Sequence, residues 1–210
     1  MGIGLRGLWA GVLLALIAVP GVAEVKVYPL QSETRLYSDV KLGKAGRGYF
    51  GDFKRDGRYF GAFYYNAEED SAWGIMDVAS VKDAMRIAQA ECERVSKVKN
   101  RCKLYAAVVP KGFVGDAVAA QGLSASSMKT YTKQYRPKLK PNTYGVFAQN
   151  GMGNPGFAWG FEDLAEAKER AMLECEGSAT TNLARSPALT RKLAVKSGMN
   201  LCKIVEQSGP

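Results

Sequence analysis

The sequence predicts an α+β fold of two pseudo-symmetric ββαβ units, each with an antiparallel sheet, one packed helix and one internal disulfide. The first observation behind it is an internal repeat. Tyr59-Phe60-Gly61-Ala62-Phe63, Ala72-Trp73-Gly74 and Glu91-Cys92 return in order as Tyr144-Gly145-Val146-Phe147, Ala158-Trp159-Gly160 and Glu174-Cys175. Such a repeat is one supersecondary unit used twice. The second observation is that the four cysteines fall into matching pairs, each copy closing on Cys102-Lys103-Leu104 or Cys202-Lys203-Ile204. The third is a change of apolar spacing within each copy, from the alternation of strands to the three-and-four pattern of a helix.

Residues 1–23 read as a secretory signal peptide. Arg6 precedes an apolar run over residues 8–19, and Pro20-Gly21-Val22-Ala23 supplies small residues for cleavage near Ala23. The run is shorter than the roughly 20 residues a spanning helix needs. No later stretch is apolar enough, so no transmembrane segment is expected. The destination is periplasmic or secreted, where disulfides persist.

Residues 24–57 form an N-terminal extended and hairpin segment. In it Tyr49-Phe50-Gly51 echoes Tyr59-Phe60-Gly61 across Lys54-Arg55-Asp56-Gly57, which suggests a hairpin with an Asp-Gly turn. The first repeat occupies residues 58–110. Residues 58–65 alternate and are rich in aromatics, residues 66–70 are polar and turn-like, and residues 71–76 are apolar again, giving a hairpin. Tyr59, Phe63 and Tyr65 point one way and Phe60 and Tyr64 the other, so both faces carry bulk. Ser80-Val81-Lys82-Asp83 then starts a helix, with a hydroxyl to cap free amides and an acid in the first turn.

Residues 111–142 are a connector with one helix over about residues 125–136. It carries Met128, Tyr131 and Tyr135 on one side and is stopped by Pro137 and Pro141. The second repeat fills residues 143–210, and Asp163-Leu164-Ala165-Glu166 resembles a capping box at its helix start. Residues 177–200 read as a surface loop with some helix near residues 187–196.

The helix pattern assigns the sulfurs. Val81, Ala84, Ala88 and Cys92 match Leu164, Ala167, Ala171 and Cys175 at offsets that place each set on one face, so each cysteine faces the sheet. A cysteine heading the next strand meets it there. The bonds are therefore Cys92 to Cys102 and Cys175 to Cys202. Chain-entropy arguments give them about 2.8 and about 3.6 kcal/mol of stabilisation. Zinc is disfavoured by the wide cysteine spacing and the absence of histidine, and no metal site is expected.

These residues resemble a bacterial secreted family, the domain of unknown function 4189. The likeness lies in Gly61-Ala62-Phe63, in Ala72-Trp73-Gly74 and Ala158-Trp159-Gly160, and in the alanine-rich helices ending at cysteine, and it covers residues 58–110 and 143–210. The resemblance implies export and a disulfide in each unit, with no assigned activity. Some proteins similar to this chain carry the label 5-aminolevulinate synthase. A pyridoxal-phosphate enzyme of that type needs a much larger cytosolic fold and a Schiff-base lysine in a cofactor cleft, so the label is judged an error and no cofactor is expected.

Few patterns carry chemistry. The chain has no histidine, which removes Ser-His-Asp and Cys-His nucleophiles. Gly151, Gly153 and Gly156 satisfy a dinucleotide-binding string, but they join two strands rather than a strand to a helix, and Pro155 interrupts them. Ser126 and Lys129 stand one helical turn apart, as in serine-lysine hydrolases acting on cell-wall material, yet no Lys-Thr-Gly or Ser-Asp-Asn accompanies them. Glu68, Glu69 and Asp70 read as a solvated hairpin tip. Tyr49, Tyr59, Tyr65 and Arg58 belong to an aromatic and cationic cluster that could form a binding face for sugars or peptides.

The net charge is +9, carried by clusters such as Lys97, Lys99, Arg101 and Lys103, then Lys129, Lys133, Arg136, Lys138 and Lys140. Such charge attracts acidic polymers or protein partners. Nucleic acid is excluded by compartment and by the lack of a recognition motif. The sequence reads as an exported, non-catalytic, envelope-associated binding module for acidic or carbohydrate envelope polymers, with the Ser126 and Lys129 hydrolase or transferase as the alternative.

Overall fold

The computed structural model describes residues 25–210. The signal peptide expected over residues 1–23, with cleavage near Ala23, falls outside the described residues. Two antiparallel sheets organise the α+β fold. The first contains β1 (Ser32–Leu36), β2 (Gly61–Asn66), β3 (Ser71–Ile75) and β4 (Lys103–Pro110) in the order β1-β4-β2-β3. The second contains β5 (Tyr144–Asn150), β6 (Pro155–Phe161) and β7 (Cys202–Ser208) in the order β6-β5-β7.

Strand β2 is buried at every position, and the alternation of its side chains supplies two cores. Ala62 and Tyr64 pack under helix α2 (Val81–Val95) against Ala84, Ala88 and Cys92. Phe63 and Tyr65 face the other way, onto Phe50 and Phe53. The helix α2 begins as expected, with the Ser80 hydroxyl accepting from the Asp83 N–H at 3.1 Å.

The segment that carries Phe50 and Phe53 departs from expectation. It is a helix, α1 (Lys44–Arg55), and not a hairpin, so the first sheet has a helix on each face rather than one. Two non-local causes hold it. The rings of Phe50 and Phe53 each lie 5.3 Å from the Phe63 ring. The Asp70 carboxylate, from the β2–β3 turn, accepts from the Ala45 and Gly46 N–H groups at 2.8 Å each. Asp70 is thus a helix cap borrowed from another element, where the sequence suggested a solvated tip.

In the second half, helix α4 (Leu164–Arg185) runs 22 residues, past Cys175, and α5 (Ala188–Lys196) follows almost at once. Residues 177–185, expected as loop, are helix instead, while the helix expected near residues 187–196 is present as α5. The stripe of Ala167, Ala171 and Cys175 continues into buried Ala179, so burial carries the helix through Gly177 and the Thr180-Thr181 pair. Asp163 caps its start, accepting from the Glu166 N–H at 2.9 Å. Helix α4 lies close on β6, where a Cβ at Gly156 would stand 2.2 Å from the Cys175 backbone nitrogen.

Disulfides join Cys92 to Cys102 and Cys175 to Cys202, across sequence separations of 10 and 27. The first ties α2 to the residue just before β4, an inner strand, and the second ties α4 to the first residue of β7, an edge strand.

The connector forms α3 (Ala125–Thr130), continued by a wider π turn over Tyr131–Tyr135 and a tight turn over Arg136–Lys138. Met128, Tyr131 and Tyr135 are buried as one face and meet Phe147 of β5 in a core that also takes in Ala107 and Val109 of β4. That core joins the halves. A second junction sets Ile87 of α2 against Ala194 of α5, beside the fully buried Glu91. Glu91 accepts from the Thr190 N–H at 3.0 Å, from the Thr190 hydroxyl at 2.7 Å and from Arg94 at 2.6 Å. Burial works to raise its pKa, but these donors outweigh it and hold the carboxyl below its ordinary value.

Candidate ligand-binding surfaces

The serine-lysine pair does not assemble as a nucleophile and its base. The Ser126 hydroxyl donates to the Asp77 carboxylate, and the Ser126 N–H donates to the same group at 2.9 Å. Arg58 completes the cluster, 3.1 Å from Asp77 and 3.4 Å from the Ser126 oxygen. The group that faces the Ser126 hydroxyl is the Asp77 carboxylate, and no hydrogen bond joins Ser126 to Lys129 among the described residues, so the pairing a serine-lysine nucleophile needs is not made. Lys129 is exposed on the next turn. Asp77 sits at φ 65°, and no sequence pattern marks it as the partner.

The three spaced glycines serve packing. Gly153 has φ +80°, and a Cβ there would lie 2.2 Å from the Asp77 carbonyl oxygen, while Gly151 meets Met199 and Gly156 meets α4. The loop joins β5 to β6, the wrong context for a phosphate cradle.

The aromatic cluster divides. Tyr59 and Tyr65 are buried and present no face to solvent, because the sheet is covered on both sides. Burial pushes the Tyr59 phenol up, and its hydroxyl has no hydrogen-bond partner among the described residues. Tyr65 is structural, donating to Asp70 at 3.0 Å and accepting from the Gly43 N–H at 2.9 Å. Tyr49 is exposed on α1, and Arg58 belongs to the Asp77 cluster. The acids of the β2–β3 turn are committed too. Glu69 accepts from the Lys97 and Val98 N–H groups, and Glu68 pairs with Arg101 at 3.2 Å.

A groove of about 500 Å³ opens instead between α1 and β3. One wall is the α1 face that carries Ala45, Tyr49, Asp52 and Asp56, spaced as one helix stripe. The opposite wall is the outer edge of β3, which no strand covers among the described residues. Phe53, Phe63 and Met76 make an apolar floor, and Gly74 lets Phe53 lie on the strand, since a Cβ there would be 2.7 Å from that ring. Asp52 and Asp56 supply negative charge, held loosely by exposed pairs to Arg55 at 2.8 and 3.4 Å. No lysine or arginine lines the groove. Sequence reasoning missed it because residues 44–55 were expected as strands; the clue was the pairing of Phe50 and Phe53 three residues apart.

A surface of opposite charge lies on the connector. Residues 117–161 contain Lys129, Lys133, Arg136, Lys138 and Lys140 and no Asp or Glu. All five are exposed. The Arg136 guanidinium lies over the Tyr131 ring at 5.7 Å and the Lys138 ammonium over Trp159 at 4.1 Å, so both charged heads sit on aromatic rings. Beneath them the Tyr131 hydroxyl donates to Glu206, while burial pushes the Tyr135 phenol up to about 12.

Among the described residues no group of three or more Cys, Asp or Glu side chains is placed to hold a metal ion, and no helix is long and apolar enough to cross a membrane. Comparison with protein-family models, curated proteins and solved structures finds no match.

Proposed function

We propose that this protein is an exported, non-catalytic binding module that docks on anionic envelope polymer through its connector face. The observation that carries the reading is the run of five exposed cations over residues 117–161 with no acid among them. Adjacent like charges raise the local potential and draw a polyanion to that side of the molecule. The acidic groove on the first half gives such a polymer no second seat. Export is supported by the two disulfides, which persist in oxidising compartments. A non-catalytic role is supported by the absence of histidine and by the Ser126 hydroxyl bonding Asp77 rather than Lys129.

The two halves are read as copies of one ββαβ unit. Support comes from strand order, since β3-β2-β4 parallels β6-β5-β7, and from a register shift at matching places, after Phe63 and after Phe147. The likeness to the secreted family named above rests on the repeated motifs alone.

Retention on a dextran sulfate matrix tests the docking face. The protein is expected to elute earlier as salt rises, and Lys133→Glu with Lys140→Glu should lower the eluting salt markedly, because surface attraction is screened. Retention that ignores ionic strength, or that survives the charge reversal, rules the reading out.

A further inference from the structure

We propose that the groove between α1 and β3 receives an extended polypeptide segment from a protein partner, added to β3 as a new outer strand. Its apolar side chains would lie over Phe53, Phe63 and Met76, and its lysine or arginine side chains at Asp52 and Asp56. Nothing in the connector reading requires this site.

The first ground is the strand edge. Among the described residues no backbone or side-chain group bonds the outer N–H and C=O groups of residues 71–75. An exposed edge is a template whose donors and acceptors repeat at the spacing of another β-strand. Sheets usually blunt such edges. The hairpin edge of the second sheet is blunted: β6 opens with Pro155, shifts register beside Gly160 at φ +77°, and gives its Phe157 N–H to Glu174 at 3.4 Å. Strand β3 has no proline, and its pairing with β2 runs without a register shift.

The second ground is dimension. Strand β3 spans five residues, about 17 Å at the strand rise. The α1 stripe from Ala45 to Asp56 covers about 17 Å at the helix rise. Helix and edge therefore wall the groove over one length, enough for about five or six extended residues.

The third ground is charge, and it selects the occupant. Two groove carboxylates are tied only to Arg55, whose side chain is 69% exposed, and exposed pairs of this kind contribute little. An incoming cation can replace Arg55 at small cost. A second copy of β3 is disfavoured, because its sequence carries no cation and pairing two edges would bring Asp52, Asp56 and Asp70 of both copies together. A saccharide could stack on Tyr49 but would leave the row of backbone groups unmatched.

The test uses a pooled hexapeptide library with Lys, Arg, Val, Leu, Ile or Phe at alternate positions, which share the face turned to the groove, and Thr between them, passed over the immobilised protein. Library members should be retained, and a retained peptide should slow hydrogen exchange at alternate β3 amides. Methylating alternate backbone nitrogens of that peptide should weaken binding at least tenfold, since it deletes the donors a strand needs. In the protein, Asp52→Lys with Asp56→Lys should shift preference to the matching Glu library; the N-methyl comparison stands on the unaltered protein should that variant misfold. The proposal is overturned if no library member is retained, if N-methylation changes nothing, if β3 amides exchange unaltered, or if chitohexaose displaces the peptide. Concentration-dependent dimerisation that protects β3 without peptide would also overturn it, in favour of self-pairing.

Discussion

In the first half β2 is flanked by β3 and β4, and in the second β5 is flanked by β6 and β7, each trio joined to a helix by one disulfide. What differs is the layer on the far face. The first sheet owns a helix there, α1, which overhangs β3 and leaves a groove at a bare edge. The second sheet uses the shared connector, whose Tyr131 and Tyr135 pack on Phe147 and whose cations ride above them. Similar strand orders thus present an acidic groove on one side and a basic face on the other. Specialisation sits in the covering layer, while the strands and sulfur bridges set the frame.

The largest test of that comparison is to remove each bridge separately. Chain entropy gives the short loop of the first half about 2.8 kcal/mol and the longer loop of the second about 3.6 kcal/mol. Cys175→Ala with Cys202→Ala should therefore destabilise more than Cys92→Ala with Cys102→Ala, as read by urea unfolding. The longer loop also encloses the rest of α4 and all of α5. Equal losses would mean that the helices, not the closed loop, dominate the second half.

An intermediate effect probes where the halves meet. Glu91 on α2 binds the first turn of α5 through Thr190, and hydrogen bonds to a charged group contribute roughly 1.5–3 kcal/mol. Glu91→Gln should cost an amount of that order at neutral pH. Its folded pKa lies below the ordinary 4.5, so the contribution is present above that value and is lost as pH falls through the folded value. The native protein should weaken with acid in that range, and Glu91→Gln should flatten the response. An unchanged pH profile would show that Glu91 does not couple the halves.

The strands, the sulfur pairing and the starts of α2 and α4 were legible because each has a local cause: alternation, paired cysteines, and a capping side chain three residues before its partner amide. Helix α1 was not legible. Its glycines at 46, 48 and 51 favour no helix, and it is held by Asp70 and Phe63, which are distant in sequence. The length of α4 was half-legible, since Ala171, Cys175 and Ala179 keep a spacing of four, but matching the two copies stopped the helix at Cys175. The groove inherits the first error, because it exists only if residues 44–55 are helical. The basic face could be counted from the sequence, whereas its placement on Tyr131 and Trp159 required the fold.

The smallest effect compares the two helix starts. Ser80 and Asp163 occupy the same place in α2 and α4, and replacing an N-cap by alanine costs about 1 kcal/mol. Ser80 does more than Asp163. Its hydroxyl also donates to the Asp83 carboxylate at 2.8 Å, and its backbone forms a bridge to Gln121 of the connector. Ser80→Ala therefore strands two groups where Asp163→Ala strands one, and α4 has 22 residues over which to absorb a frayed turn against 15 in α2. Urea unfolding should rank Ser80→Ala as the more costly, and Ser80→Thr should recover most of the loss by restoring the hydroxyl. If Asp163→Ala proves worse, the first turn of α4 is marginal by itself, and the second half depends on its cap more than its long helix suggests.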